Sequence, residues 1–538
     1  MGLSKMYEAK KKDDAAKDYT RTLSEIRLSS VSAPLEGGSP GSSPKATTSK
    51  KRLFKARART FDHPGTAVVD NPVPQKRTVT DDTWSTRTAG DLVVIVMVGL
   101  PATGKTYIGR RLKQYLRFFH DCRTEIFNVG NYRRKVFGAE TPHTFFSQHD
   151  EEAMAKRMKC AQMAMEDCKT WLRKEDSRPS VAVFDATNTT VSRRAWIMEQ
   201  LDGVVESSKN VVFVESICDD DSIVDANIRA VKLKMPDYKS LSDKDAVQDF
   251  KQRINHYKEV YEPMCDKRDA NLSFVKLKNG GRGVEMNCVR GYLQGRILHF
   301  LINLHTTPRP LYFSRHGQSQ YNVLGKIGGD SFLSPQGEAY AVELAKFAHE
   351  EILGLDPDGT FKDENTCTAS HARLYTSSLR RTKQTARHIK HPVCADGWVC
   401  MRPVEWRGLD EIFAGDFDGM TYEEIKEQFP HEFAARAKDK LRYTYPRGES
   451  YIDVIKRLDP VIHELERQTD PLLLVGHQGI LRILFAYFMG LTREEAPFLK
   501  IPLNHVIKLS PETYSCEEER IELLRVDSEL SDNDAPSH

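Results

Sequence analysis

Short, fully apolar runs alternate along this chain with longer stretches whose apolar residues recur every three to four positions. Residues 92–98 read Leu-Val-Val-Ile-Val-Met-Val, and Val181-Ala-Val-Phe184, Val211-Val-Phe-Val214 and Leu472-Leu-Leu-Val475 repeat the pattern. Runs without polar alternation predict strands covered on both faces, as in parallel sheets. Helical spacing follows at 107–116, 150–173 and 223–233, so strand and helix alternate and the class is α/β. Thr306-Thr-Pro-Arg-Pro310 breaks this pattern once. The expected organisation is a first domain over 89–264, a connector over 265–310 and a second domain over 311–525. In the connector, Asn279-Gly-Gly-Arg-Gly283 predicts a turn between two short strands, and 291–305 a helix.

Composition changes this picture only at the ends. Residues 1–88 are rich in Ser, Thr, Pro and Lys without apolar periodicity, which predicts a disordered tail. Residues 1–90 hold 17 Lys and Arg against 10 Asp and Glu, whereas the rest holds 62 against 66. A basic tail raises the prospect of nucleic acid or lipid, but its aromatics are only Tyr7, Tyr19, Phe54, Phe61 and Trp84, too sparse for base stacking. Neither nucleic acid nor membrane is an expected partner. Basic residues precede Ser29, Thr60 and Thr78, and Ser39 and Ser43 precede prolines, so regulatory protein kinases are expected partners of the tail. A homodimer stays open as an assembly. The ten cysteines include no C-x-x-C pair, and no apolar run reaches the ~18 residues of a membrane span, which together point to reduced thiols in the cytoplasm. Residues 526–538 form a short acidic tail.

The chemistry starts directly after the first apolar run. Gly99-Leu100-Pro101-Ala102-Thr103-Gly104-Lys105-Thr106 fits the phosphate-binding G-x-x-x-x-G-K-[ST] loop, with a strand before it and a helix after it. Glycines let backbone N–H groups turn inward, and the helix dipole aims at the same spot. Lys105 would reach the β- and γ-phosphates of ATP, and Thr106 would hold Mg²⁺. Asp185 ends an apolar strand, the second by this reading, where an α/β enzyme places a metal-facing acid. The first domain also carries Arg133, Arg134, Arg157, Arg193, Arg194, Arg229, Lys232 and Arg253, a set suited to a second, phosphorylated substrate.

Phe127-Asn-Val-Gly-Asn-Tyr-Arg133-Arg134, Val183-Phe-Asp185-Ala-Thr187-Asn-Thr-Thr190, Glu215-Ser-Ile-Cys218, Val231-Lys232-Leu and Phe250-Lys-Gln-Arg253-Ile-Asn-His-Tyr257 resemble the kinase half of the 6-phosphofructo-2-kinase/fructose-2,6-bisphosphatase family. The resemblance implies a fructose 6-phosphate site of Arg133, Arg157, Thr187, Arg193, Lys232, Arg253 and Tyr257. It also implies ATP contacts from Asn227 to Lys232 and a place for Cys218 in the active site.

The second half opens with Leu311-Tyr-Phe-Ser-Arg315-His316-Gly317. Ser334-Pro-Gln-Gly337, Tyr375-Thr-Ser-Ser-Leu-Arg380-Arg381, Leu409-Asp-Glu411 and Gly476-His477-Gln478-Gly479 follow in order. Two histidines and two arginines at strand C-terminal ends would converge on one pocket. A neutral imidazole is a good nucleophile near pH 7. Arg315, Arg381 and a protonated His477 would stabilise the transferring oxygens, and Glu411 would protonate the leaving alkoxide.

This half is similar to the histidine phosphatase and phosphoglycerate mutase superfamily, and to the bisphosphatase half of the same bifunctional family. Ile327-Gly328-Gly329-Asp330-Ser331, Met420-Thr-Tyr422 and Tyr445-Pro-Arg-Gly-Glu-Ser-Tyr451 add to the likeness. It implies His316 as nucleophile, Glu411 as proton donor and His477 as its partner. It also implies substrate contacts at Arg315, Asn322, Gly328, Arg381, Tyr422, Arg436, Lys440, Tyr451, Gln478 and Arg482. Phe413 stands where the family usually has Asp, a change beside Glu411 that bears on its proton affinity, and Gln318 replaces a frequent Glu. The implied activities are opposed: fructose 2,6-bisphosphate made from fructose 6-phosphate and MgATP in one half, and hydrolysed through a phosphohistidine in the other, in control of glycolysis and gluconeogenesis. An enzyme with only one working half is the alternative.

Overall fold

The computed structural model describes residues 92–229, 236–238, 242–305, 308–363, 367–512 and 515–525. The tail residues Ser29, Ser39, Ser43, Thr60 and Thr78, the proposed ligand Lys232 and the acidic C-terminus lie outside these.

The first sheet has the order β2-β3-β1-β4-β5-β6. Its strands are β1 (Leu92–Val98), β2 (Arg123–Asn128), β3 (Ser180–Asp185), β4 (Val211–Ile217), β5 (Ser273–Lys278) and β6 (Gly283–Asn287). β1 to β5 run parallel and β6 closes one edge antiparallel. The unbroken apolar runs β1, β3 and β4 occupy covered positions, and residues 93–98 are fully buried. β2 escaped the sequence reading, and Asp185 therefore ends the third strand rather than the second. Arg-Thr-Glu-Ile-Phe-Asn carries too much polarity to stand out, because β2 is an edge strand. The stretch read as a connector supplies β5 and β6 to this sheet. Of the helix expected over 223–233, the described part is Asp221–Asn227.

Helices α1 (Lys105–His120), α2 (Val129–Phe137), α3 (Glu151–Leu172), α4 (Val191–Leu201), α5 (Asp243–Lys258) and α6 (Tyr292–Asn303) complete the first half. Their starts follow local side chains: Asn128, Asp150 and Thr190 each accept a backbone N–H three residues on.

The second sheet has the order β12-β11-β7-β10-β8-β9. It comprises β7 (Leu311–Arg315), β8 (Ala372–Thr376), β9 (Met401–Glu405), β10 (Leu472–Gly476), β11 (His505–Pro511) and β12 (Cys516–Glu522). β7 to β10 are parallel, while β11 and β12 are antiparallel additions, so the expectation of a parallel sheet holds only for the strands that carry the motifs. Its helices include α7 (Pro335–Phe347), α8 (Arg380–Ala386), α9 (Tyr451–Arg467) and α10 (Gln478–Met489).

One apolar core joins the halves. Tyr115, Phe118 and Phe119 of α1 pack with Phe300 of α6, Val461 and Leu465 of α9, and Tyr487 and Phe488 of α10. Tyr115 stacks on Phe300 at 4.3 Å and donates to Asp459 Oδ1 at 2.9 Å. Arg111 of α1 pairs with the buried Glu466 of α9, which also accepts from Tyr487 at 2.7 Å. A buried ion pair needs such extra hydrogen bonds to offset its desolvation. The helix that begins at Lys105 and the helix that begins after His477 thus meet at their far ends.

Candidate active sites

In the first half, β1 turns into α1 through a tight loop. Gly99 has φ +131°, and a Cβ there would lie 2.4 Å from Ser216 O, so only glycine fits. Ala102 (φ +62°) and Gly104 (φ +88°) also take left-handed backbone conformations, giving the concave run of N–H groups that binds anions. Thr103 Oγ1 donates to Leu100 O at 2.9 Å, and Asn227 Nδ2 to Ala102 O at 2.9 Å. Lys105 is buried and folds back over the loop onto Leu100 O. Thr106 Oγ1 donates to Asp185 Oδ2 at 2.9 Å, and Asn128 Nδ2 reaches the same oxygen at 2.5 Å. A hydroxyl and a carboxylate side by side at the loop's end are hard oxygen ligands of the kind Mg²⁺ takes, so the residues fit that ion.

A cavity of about 350 Å³ extends from this loop. Its walls hold Lys105, Thr106 and Asp185 together with Arg133, Arg157, Thr187, Arg193, Asn227, Arg253 and Tyr257. Pro101, Ala102 and Gly104 line it too, whereas Gly99, Leu100 and Thr103 shape the turn behind. The arginines are held before any substrate arrives. Arg157 donates to Phe145 O at 2.5 Å, Arg193 stacks over Trp196 at 4.3 Å, and Arg253 over Phe146 at 3.7 Å. Burial lowers the pKa of Arg193 to about 10 and shifts those of Arg133 and Arg157 in the same direction. Cys218 stands apart: its thiol donates to Asp220 O at 3.5 Å and does not line the cavity.

The sequence reading missed three groups here. Asn128 orients Asp185 while capping α2. Phe146 is the aromatic floor under Arg253. Asp237, buried, pairs with Arg133 at 2.6 Å, Arg134 at 3.4 Å and Arg253 at 3.9 Å. An aspartate inside Met-Pro-Asp-Tyr gives no sequence signal. A buried arginine cluster needs a compensating acid, and that requirement was the available clue.

In the second half, β7, β8 and β10 deliver their C-terminal residues to one place. His316 and His477 are both buried, with ring centroids 5.2 Å apart. His316 Nδ1–H donates to Gly317 O at 2.8 Å, which leaves Nε2 as the lone-pair nitrogen. Arg315 donates to Ile501 O at 2.8 Å. Arg381 donates from Nε to His477 Nδ1 at 3.2 Å and from a terminal nitrogen to Gly329 O at 2.6 Å. His477 Nε2–H then donates to Ser377 Oγ at 2.7 Å. Burial, with Arg381 and Arg315 beside them, holds both histidines well below the usual imidazole pKa. The expectation of a protonated His477 is therefore corrected: in the free site its Nδ1 is an acceptor and the ring is neutral.

Glu411 accepts from Ile412 N at 2.9 Å and from Gly479 N, at the start of α10, at 3.2 Å. The chain doubles back closely here, and a Cβ on Gly479 would sit 2.6 Å from Glu411 Oε1. Phe413 is 52 % exposed, and its backbone N–H donates to Glu449 Oε2 at 3.0 Å. Gln318 Oε1 accepts from Ser334 Oγ, the cap of α7, at 2.8 Å.

Gly328 (φ +68°) makes the turn that presents Gly329 O to Arg381. Arg436 bonds Tyr422 Oη at 2.8 Å and Tyr445 Oη at 2.9 Å, and Arg482 reaches Tyr451 Oη at 3.4 Å. Lys440 lies over the Phe498 ring at 5.3 Å, and Gln478 is the first residue of α10. Asn322 Oδ1 is engaged with Ser319 N and Oγ, both at 2.9 Å, in a capping box. The residues behind the histidines, Ser377 and Thr385, were not foreseen. Thr385 Oγ1 holds Gly317 N at 2.9 Å.

A phosphate loop facing an arginine-lined cavity, followed by a paired-histidine pocket, defines a nucleotide-dependent kinase fused to a histidine phosphatase. Residues 80–308 match the 6-phosphofructo-2-kinase family and residues 311–523 the histidine phosphatase superfamily, branch 1. A 6-phosphofructo-2-kinase/fructose-2,6-bisphosphatase from Gallus gallus is 43% identical over 445 residues, covering 83% of this chain and 87% of the relative. Those named 6-phosphofructo-2-kinase/fructose-2,6-bisphosphatase 3 from Rattus norvegicus and 6-phosphofructo-2-kinase/fructose-2,6-bisphosphatase from Caenorhabditis elegans are 44% and 42% identical, covering 80% and 79% of this chain and 72% and 87% of theirs. The chain belongs to the bifunctional 6-phosphofructo-2-kinase/fructose-2,6-bisphosphatase family. Among the described residues no helix is long and apolar enough to cross a membrane.

Proposed function

We propose that the first site transfers the γ-phosphoryl group of ATP to the 2-hydroxyl of fructose 6-phosphate, and that the second site removes it again. One observation carries the kinase reading: the phosphate loop and five arginines line the same cavity of about 350 Å³. That space brings a nucleotide and a sugar phosphate together, and phosphoryl transfer depends mainly on such positioning and on charge stabilisation. Lys105 and the loop N–H groups take the nucleotide phosphates. Arg133, Arg157, Arg193 and Arg253 take the sugar's 6-phosphate, and Thr187 and Tyr257 border it. Asp185, steadied by Asn128, orients the attacking hydroxyl. Thr106 and Asp185 would hold Mg²⁺, which when bound neutralises charge on the phosphate oxygens.

In the second site His316 Nε2 attacks the 2-phosphate of fructose 2,6-bisphosphate, and Glu411 in its acid form protonates the departing alkoxide. Arg315 and Arg381 face the charge of the transferring oxygens, and neutral His477 holds Arg381 in line. Water then attacks phospho-His316 with Glu411 as base. Arg436, Tyr422, Tyr451 and Arg482 suit the sugar end of the substrate. Ten free thiols accord with a reducing compartment, so the cytoplasm is the expected location.

Purified protein given γ-labelled ATP and fructose 6-phosphate should pass label to the sugar, then to protein, then to free phosphate. Label that reaches free phosphate without appearing on the sugar would replace this reading with a simple ATPase.

A further inference from the structure

Outside both sites, one more cluster of reactive side chains lies on the hairpin between α8 and β9. The hairpin is held by a bridge between Val393 and Val399, and Cys394 N and Cys400 N donate to Trp398 O and Pro392 O at 2.8 and 2.9 Å. This places Cys394 and Cys400 diagonally across it, with their sulfurs 2.6 Å apart. Nearby, His371 Nε2 meets Asp396 Oδ2 at 3.0 Å. A His371 ring nitrogen, Cys394 Sγ and an Asp396 oxygen all lie within 4.8 Å of one another.

We propose that Cys394 and Cys400 are a redox-active dithiol: Cys394 attacks a low-molecular-weight disulfide and Cys400 resolves the adduct. The order of attack follows from access and from the base. Cys394 keeps 7% of its surface exposed and Cys400 none, and only Cys394 has the exposed His371–Asp396 pair within reach. His371 takes the Cys394 proton, and the thiolate attacks one sulfur of the external disulfide. The first external thiol leaves and recovers that proton. Cys400 then attacks Cys394 in the mixed disulfide, its S–H proton passing to the second leaving thiol. Two protein thiols are oxidised by two electrons to one disulfide, and one external disulfide is reduced to two thiols. Burial, with Cys394 beside it, pushes the Cys400 thiol up to about 12, which suits the resolving partner rather than the attacker. A zinc site is the weaker reading. Zinc takes four ligands, and the converging donor set includes only one of the two sulfurs. Cytosolic disulfides, where they occur, are usually transient and redox-responsive.

The test incubates the full chain with glutathione disulfide, quenches with acid, alkylates, and maps the cysteine peptides by mass. Wild type should give an intramolecular 394–400 link, short by two hydrogens and reversed by dithiothreitol. Cys400→Ala should trap glutathione on Cys394, and His371→Asn should slow that trapping by about tenfold at pH 7 without changing its end point. Neither cysteine lines a candidate active site, so both activities serve as folding controls. Full alkylation of both thiols in oxidised wild type would overturn the proposal. So would trapping at Cys400 in Cys394→Ala at the rate seen for Cys394. Protection of both thiols by one equivalent of zinc, lost in His371→Asn, would replace the dithiol with a metal site.

Discussion

Arg381 donates from Nε to Nδ1 of His477 across 3.2 Å, so a cation and an imidazole that would repel if both were charged are locked together with the ring neutral. The same guanidinium reaches Gly329 O, which fixes its plane over the pocket. Arg381→Ala should lower bisphosphatase turnover by roughly 10²-fold, the scale of losing one charge-stabilising donor, and leave the kinase unchanged. Arg381→Lys should recover little, because a point charge cannot make both contacts. Steady-state assays of the two reactions decide it, and a change below threefold makes Arg381 a bystander.

Buried neutral histidines also predict how stability responds to acid. His316 and His477 lie well below the ordinary value, and His463 is lowered to about 4, chiefly by burial. Unfolded histidine titrates near 6.5, so between that pH and the folded values the unfolded chain binds more protons. Stability should therefore be full above about pH 7 and fall as pH drops through 6.5 toward 4. Denaturant midpoints at pH 7.5, 6 and 5 test this. A flat profile would mean that these rings are not held neutral in the fold.

How much of this was written in the sequence depends on whether a group acts through its neighbours in the chain. The strand, loop and helix around Lys105 are contiguous, as are Arg315-His316 and the strands ending at His477, so local pattern sufficed. Asp237 finds Arg133 across 104 residues and Ser377 finds His477 across 100, and no periodicity encodes such pairs. The charge state of His477 was misread for the same reason. An isolated histidine beside a glycine gives no hint of full burial against Arg381. Strand β2 hid because an edge strand tolerates polar residues. The two short strands expected around residues 279–283 were legible as strands but not as β5 and β6 of the first sheet, since local pattern does not say which sheet a hairpin joins.

Asp237 supplies a test of a residue that pattern missed. Its carboxylate sits among three arginines with almost no solvent contact. Asp237→Asn should leave buried positive charge uncompensated and destabilise the first half by roughly 3 kcal/mol. The KM for fructose 6-phosphate should rise about tenfold as Arg133 loses its anchor, roughly 1.4 kcal/mol of binding. Chemical unfolding and kinase kinetics check both, and unchanged stability would show that the arginines need no internal counter-ion.

Gly479 probes the proposed acid without replacing it. A methyl group there would press on Glu411 Oε1 at 2.6 Å, with Ile412 Cγ2 at 3.6 Å. Gly479→Ala should displace the carboxylate and reduce bisphosphatase kcat by about 10²-fold, comparable to losing general-acid assistance. Kinase turnover and the melting profile should stay near wild type. Retained kcat would place the proton donor elsewhere.

The central claim is that one chain holds two separate phosphoryl-transfer sites. Lys105 begins α1 beside the arginine-lined cavity, whereas His316 follows β7 in the other sheet. Direct transfer from ATP needs no phosphoenzyme, and transfer to a histidine needs no nucleotide. The most direct measurement is both activities on two variants, with melting as the folding control. His316→Ala should abolish hydrolysis of fructose 2,6-bisphosphate and protein labelling while kinase turnover stays near wild type. Lys105→Ala should do the reverse. Loss of kinase activity in folded His316→Ala protein would contradict the two-site account and require a single shared site.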